Sequence, residues 1–209
     1  MTEKIKTLLQ RGKYRDMPGA VNDALENGIS ADKVLQSMVE AMDIIGEKFK
    51  NGDVYIPEVL IAAKAMTAGI DTLKPHLSSS SGEDLGKVIV CTVKGDTHDI
   101  GKNLVKIMIE GKGIECIDLG TNVDGPAVVN AVKEHGAKVV CLSALLTTTM
   151  NAQGEIIEAL KQAGIRDSVT VVVGGAPVNE AFAKEIGADK YTEDAASCAQ
   201  YVYSVLKGE

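Results

Sequence analysis

The chain is predicted to be a helical bundle joined to an open, parallel α/β sheet, and three observations lead there. Apolar residues in the first eighty positions recur at helical spacing. From about residue 87 onward, short apolar runs alternate with helical patterns. Between the two regimes lies a polar joint, Ser78 to Ser81 followed by Gly82, Glu83 and Asp84, with the composition of a linker. The expected boundaries are residues 1–77 for the bundle, 78–86 for the linker and 87–209 for the sheet domain.

In the bundle, Ile5, Leu8 and Leu9 mark a first helix, and Met17, Val21, Ala24 and Leu25 a second that stops at Asn27-Gly28. Ser30 is placed to cap a third helix, whose stripe is Val34, Leu35, Met38, Met42, Ile45 and Phe49 and which ends at Asn51-Gly52. The fourth, from about Ile56 to Leu73, shows two apolar faces: Val59, Leu60, Ala63, Met66, Ile70 and Leu73 on one, Ile61, Ala62, Ala65 and Ala68 on the other. Either the second face lies against something flat outside the bundle, or this is a central helix buried on all sides.

Five strands are expected after the linker: Val88 to Val93, Ile114 to Leu119, Val139 to Leu142, Val169 to Val173 and, more weakly, Lys190 to Thr192. Helical patterns follow them near 101–111, 126–135, 151–163, 179–186 and 195–206. Strands apolar on both faces and separated by helices make a parallel sheet covered on both sides. Five of them fit the Rossmann-like, flavodoxin-type order 2-1-3-4-5, in which ligands sit at the carboxyl ends of strands 1 and 3.

Composition narrows the classes. Net charge is −7; residues 1–82 carry 10 Lys and Arg against 11 Asp and Glu, and residues 83–209 carry 12 against 18. An acidic second half, with aromatics at 3% and no Trp, argues against nucleic acid as a partner and against an anionic membrane surface. No apolar run reaches the ~18 residues of a spanning helix, and MTEKIKTLLQ lacks the apolar core of a signal peptide, so a cytoplasmic protein is expected. Cys91 and Cys141 sit in apolar strands, no C-x-x-C spacing occurs, and four small reduced thiols are the expectation.

Three loops at the ligand-binding edge carry unusual residues: Gly95-Asp96-Thr97-His98-Asp99-Ile100-Gly101 after strand 1, Ser143 to Thr149 after strand 3, and Gly174-Gly175-Ala176-Pro177 after strand 4. Singly each is ambiguous. Asp96-Thr97-His98 suits a satisfied loop histidine or a hydrolase metal site, and Gly-Gly suits a tight turn. No P-loop lysine or G-x-G-x-x-G follows strand 1, which counts against a nucleotide.

Taken together, the loops resemble the cobalamin-binding signature D-x-H-x-x-G, S-x-L, G-G, here Asp96-His98-Gly101, Ser143-Leu145 and Gly174-Gly175, with 41 residues between Gly101 and Ser143 and 28 between Leu145 and Gly174. The first eighty residues, most clearly GDVYIPEVLIAAKAM from Gly52 to Met66, resemble the helical cap that precedes the cobalamin module in methionine synthase and in the small corrinoid proteins of anaerobic one-carbon metabolism. This resemblance implies a cobalamin (corrinoid, cobalt) cofactor bound base-off, with His98 as lower metal ligand and Asp96 as its hydrogen-bond partner. Thr149 takes the place of a relay hydroxyl. Thr97, Asp99 and Ile100 fall within the motif loop, and Ser143, Leu145, Thr147, Gly174 and Gly175 would line the slot for the displaced nucleotide tail. Asp99 and Lys102 also fit the motif's wording, and equally fit a helix N-terminal charge and a solvated side chain. Tyr55, Val59, Ala62 and Met66 are the expected residues of the cap over cobalt, and the serine-rich linker is the expected hinge.

The function implied is that of a methyl carrier and not an independent enzyme. Its implied partners are a substrate:corrinoid methyltransferase, a corrinoid:pterin or corrinoid:thiol methyltransferase, and a reductive activase. The methyl donor, whether a methylamine, methanol, a methoxylated aromatic or glycine betaine, would be chosen by the partner. Two alternatives are a cobalamin-dependent regulator, which needs a DNA-binding domain, and the small subunit of a carbon-skeleton mutase, which lacks the cap.

Overall fold

In a computed structural model, residues 1–76 and 85–208 are described. The linker and hinge expected over 78–86 fall, up to Asp84, outside the described residues. The chain divides into two compact units, Met1–Asp84 with Gly111–Gly113, and Leu85–Glu110 with Ile114–Glu209.

The first unit contains α1 (Thr2–Gln10), α2 (Met17–Glu26), α3 (Ala31–Lys50) and α4 (Ile56–Leu73), followed by a short 3-10 turn at Lys74–His76. The local signals act as expected. The Ser30 hydroxyl accepts the Lys33 amide at 3.4 Å and caps α3, and Gly28 and Gly52 follow the ends of α2 and α3 in the left-handed region. Ile5, Met17, Met38 and Ile45 are among the fully buried side chains of this unit.

One expectation about α4 needs correction. Its buried residues Val59, Ala62, Ala65, Met66, Gly69 and Leu73 lie along one side of the helix and form a single stripe. That stripe faces the bundle interior, because a Cβ built on Gly69 would lie 2.3 Å from the Met38 methyl and 3.2 Å from that of Met17. Val59, Ala62 and Met66 are therefore bundle core, without surface to lay over a ligand. The outward apolar residues here are Tyr55, Ile56, Leu60 and Ile61. Of the four residues expected in the cap, Tyr55 alone is exposed, at 71%.

The second unit is a five-stranded parallel sheet in the order β2-β1-β3-β4-β5, as the sequence predicts. The strands are β1 (Lys87–Thr92), β2 (Glu115–Asp118), β3 (Val139–Ser143), β4 (Thr170–Gly174) and β5 (Lys190–Tyr191). The helices are α5 (Ile100–Glu110), α6 (Gly125–His135), α7 (Asn151–Gln162), α8 (Glu180–Ile186) and α9 (Ala195–Lys207).

Alternate residues of the strands face opposite layers. Ile89, Val140, Leu142, Val171 and Val173 join Val128, Ile156 and Leu160 of α6 and α7 in one core. The opposite face carries Cys141 against Cys198 of α9, with sulfurs 4.0 Å apart. The four cysteines are free thiols, and burial pushes the Cys91 thiol up to about 12.

The register aligns the ends that matter. Thr92 of β1 pairs with Ser143 of β3, and Ser143 with Gly174 of β4. The loops after these three strands thus leave the sheet side by side at the switch point between β1 and β3.

Candidate cobalamin site

The site is built around one buried carboxylate. Just past β1 the chain turns, with the Asp96 amide donating to the Val93 carbonyl at 3.1 Å and Gly95 at φ 83°. This turn brings Asp96 beneath the loop with no exposed surface. Its Oδ1 accepts the His98 amide at 3.0 Å and the His98 ring Nδ1 at 2.7 Å. Its Oδ2 accepts the Leu145 amide at 2.7 Å and the Thr149 hydroxyl at 2.8 Å. The Asp96 carboxylate therefore ties the loop after β1 to the loop after β3.

Burial alone would raise the Asp96 pKa. The His98 and Leu145 amides, with the His98 ring and the Thr149 hydroxyl, outweigh that and hold the carboxyl well below the usual carboxylate range. A carboxylate facing Nδ1 keeps the imidazole proton on that nitrogen, which leaves Nε2 with its lone pair on the far side of the ring. The His98 side chain is half exposed, at 49%. An oriented imidazole offering one nitrogen to the outside is the arrangement of a metal ligand.

The rest of the predicted set arranges itself around this pair. Thr97, Asp99, Gly101 and Thr147 are exposed at the same edge, and Ser143, Gly174 and Gly175 are half buried. A Cβ on Gly101 would stand 3.9 Å from Ser143 Oγ, so the bare glycine leaves a gap between α5 and β3. Gly175, at φ 123°, lies so close to the β3 exit that a Cβ would meet the Ala144 carbonyl at 1.8 Å. Ile100, Leu145 and Leu146 are exposed by 68%, 44% and 42%, an apolar rim beside a polar relay.

Some supporting residues lie outside the sequence prediction. The buried Thr92 hydroxyl donates to the His98 carbonyl at 2.9 Å. Asn122, at φ 56°, accepts the Gly95 amide at 2.8 Å through its side chain, and its own amide donates to the Asp96 carbonyl at 3.0 Å. Gln153 Nε2 donates to the carbonyls of Leu142 and Gly174, at 3.0 and 3.1 Å, and so couples the ends of β3 and β4. Lys102 is not solvated: it is buried against Asp118. Adjacent strand ends create these contacts, and apart from Lys102, which the motif's wording includes, no local motif announces them.

The switch-point placement and the Asp96-held imidazole mark the ligand-binding edge of a doubly wound α/β domain. Comparison with known proteins agrees. Residues 86–199 match the B12 binding domain family, and residues 1–74 match a second family model of the same description. The chain is 40% identical over 178 residues to a corrinoid protein of Desulfitobacterium hafniense (strain Y51), covering 84% of this chain and 82% of that protein. It is 42% identical over 188 residues to the trimethylamine corrinoid protein of Methanosarcina barkeri, covering 88% and 87%.

Among solved structures, a cobalamin-binding protein from Desulfitobacterium hafniense DCB-2 superposes with a TM-score of 0.81 at 30% identity, over 96% of each chain. The methanol:cobalamin methyltransferase complex MtaBC of Methanosarcina barkeri gives 0.83 at 28%, over 98% of this chain and 79% of that one. The chain belongs to the corrinoid protein family, and its cofactor is cobalamin. Among the described residues no helix is long and apolar enough to cross a membrane.

The residues present suit that cofactor. An imidazole nitrogen is directed outward, an apolar rim stands ready for a macrocycle face, and glycines at 101, 174 and 175 keep side chains out of the edge where a tail would enter.

Proposed function

We propose that this chain is a corrinoid methyl carrier that binds cobalamin base-off, with His98 Nε2 as the lower ligand of cobalt. The observation that carries this reading is the Asp96 carboxylate, fully buried and saturated by four donors, which fixes the His98 ring with Nε2 outward. Bound cobalamin supplies the nucleophilic and methyl-carrying chemistry of cobalt.

The protein's own residues bind, orient and tune. His98 donates its Nε2 lone pair. Asp96 keeps the proton on Nδ1 and raises the donor strength of the ring. The Thr149 hydroxyl, 8% exposed, is the next member of the relay. Ser143, Leu145, Thr147, Gly174 and Gly175 line the entrance for the nucleotide tail, with Thr97, Asp99, Ile100 and Gly101 completing the first loop. In the helical unit, Tyr55 is the residue of the expected cap set that keeps exposed surface for a ligand.

The likeness to a chain of the MtaBC complex and to methylamine corrinoid proteins supports a methyltransferase as partner. The carrier would pass its methyl group from a substrate:corrinoid methyltransferase to a corrinoid:pterin or corrinoid:thiol methyltransferase, with a reductive activase returning the metal to its working state. The domain limits proposed are 1–77 and 87–209.

The test is methyl transfer. The cobalamin-loaded chain, reduced to cobalt(I) by an added chemical reductant, is mixed with a panel of substrate:corrinoid methyltransferases, each offered its donor among methylamines, methanol, methoxylated aromatics and glycine betaine. A visible absorbance change with one donor is expected. A loaded chain that neither accepts nor passes a methyl group would end the carrier reading.

A further inference from the structure

The polar contacts around His98 close into a ring that extends beyond the D-x-H motif. Four residues after His98, in the first turn of α5, stands Lys102, whose side chain is 3% exposed. Its Nζ lies 2.7 Å from each carboxylate oxygen of Asp118 and 2.6 Å from Asn103 Oδ1. Asp118 is the last residue of β2, and its Oδ1 also accepts the Gly120 amide at 2.9 Å. The Gly120 carbonyl accepts the Thr92 amide at 2.9 Å, and the Thr92 hydroxyl donates to the His98 carbonyl at 2.9 Å. The circuit thus leaves His98 along the chain to Lys102 and returns through Asp118, Gly120 and Thr92.

Burying an ammonium is costly, and a buried ion pair seldom adds net stability over an apolar pair of similar volume. Here the pair joins the α5 N-terminal turn to the end of β2, and the same carboxylate reaches back to the other side of the histidine loop. We infer that Lys102 and Asp118 form a positioning clamp, with Thr92 as its second arm, that sets the height and direction of the His98 imidazole toward its metal. The clamp rests on the reading of His98 as the cobalt ligand and deepens it: Asp96 orients the ring, and the clamp orients the backbone that carries the ring.

The test uses the full chain loaded with cobalamin and reduced to the cobalt(II) state. In that state an axial nitrogen splits each cobalt hyperfine line in the electron paramagnetic resonance spectrum. Wild type shows the splitting; if it does not, the reading of His98 fails and the clamp falls with it. Lys102→Met and Asp118→Asn remove opposite charges, so a positional role requires the same change in both. The ratio of nitrogen-ligated to unligated cobalt(II) is expected to fall about 10-fold or more in each. Lys106, 3.6 Å from Asp118, still offers the carboxylate a cation in the first variant.

Thr92→Val keeps side-chain shape while deleting the second arm, so it guards against variants that fail to fold, and it is expected to show the same loss. Wild-type splitting in the folded fraction of these variants, with only the melting temperature lowered, would reduce the pair to a stabilising role and overturn the clamp. Loss in one charge variant and retention in the other would assign the effect to charge and overturn it equally.

Discussion

Replacing Asp96 by Asn tests the centre of the site without any cofactor. Asn keeps a single accepting oxygen where Asp96 offers two to four donors. With that oxygen turned to the His98 amide and ring, the new NH2 group faces the Leu145 amide and the Thr149 hydroxyl. Thr149 can adapt, since the Leu146 carbonyl lies 3.0 Å from its Oγ and can take its proton. The Leu145 amide cannot, and a buried donor left facing another donor costs about 1–3 kcal/mol. The two bonds that survive lose charge assistance, worth about 1 kcal/mol each. The sum, about 3–5 kcal/mol, lowers the melting temperature by roughly 10 °C. His98→Ala removes one half-exposed donor and leaves Asp96 the other three, so it costs about 1 kcal/mol. Thermal unfolding followed by circular dichroism compares the two variants. An Asp96→Asn protein melting within ~2 °C of wild type, or a His98→Ala protein equally destabilised, would refute the account of Asp96 as the hub.

Two glycines should behave oppositely. Gly175→Ala places a Cβ 1.8 Å from the Ala144 carbonyl at a left-handed backbone position, and should cost about 3 kcal/mol or more in urea unfolding. Gly101→Ala meets nothing closer than Ser143 Oγ at 3.9 Å and gains helix propensity, so stability should hold or rise by about 0.5–1 kcal/mol while cobalamin titration shows weaker binding. On the acid side, the depressed Asp96 carboxyl contributes stability that is full above its unfolded pKa of about 3.9 and is lost as the pH falls through that value toward the folded one. Between pH 6 and pH 3 the unfolding free energy should fall by about 1.3 kcal/mol less in Asp96→Asn than in wild type, the two slopes differing by nearly one proton only close to pH 3.

Much of this was legible before any coordinates. The sheet order follows from five apolar runs separated by helical patterns, and each strand lies within a residue or two of its expected place. Asp96, His98 and Thr149 were legible because the motif and the strand order bring them to one edge. The contacts of Thr92, Asn122, Lys102 and Asp118 were not, since they depend on how the end of β2 lies beside the end of β1. In sequence Lys102 fits both the motif's wording and a solvated side chain, because its partner is sixteen positions away. The fourth helix misled for another reason. With Ile, Leu and Ala all round it, periodicity alone cannot say which stripe points inward. Gly69, in register with Val59, Ala62 and Met66, was the available signal, because it marks where Met17 and Met38 approach the helix.

The central claim is that His98 ligates the cobalt of bound cobalamin, and electronic absorption of the reconstituted chain tests it most directly. Wild type should show the spectrum of a base-off corrinoid carrying an imidazole ligand, and His98→Ala, folded to within about 1 kcal/mol of wild type, should show a base-off spectrum without it. A wild-type spectrum identical to that of free cobalamin, or one unchanged by His98→Ala, would contradict it.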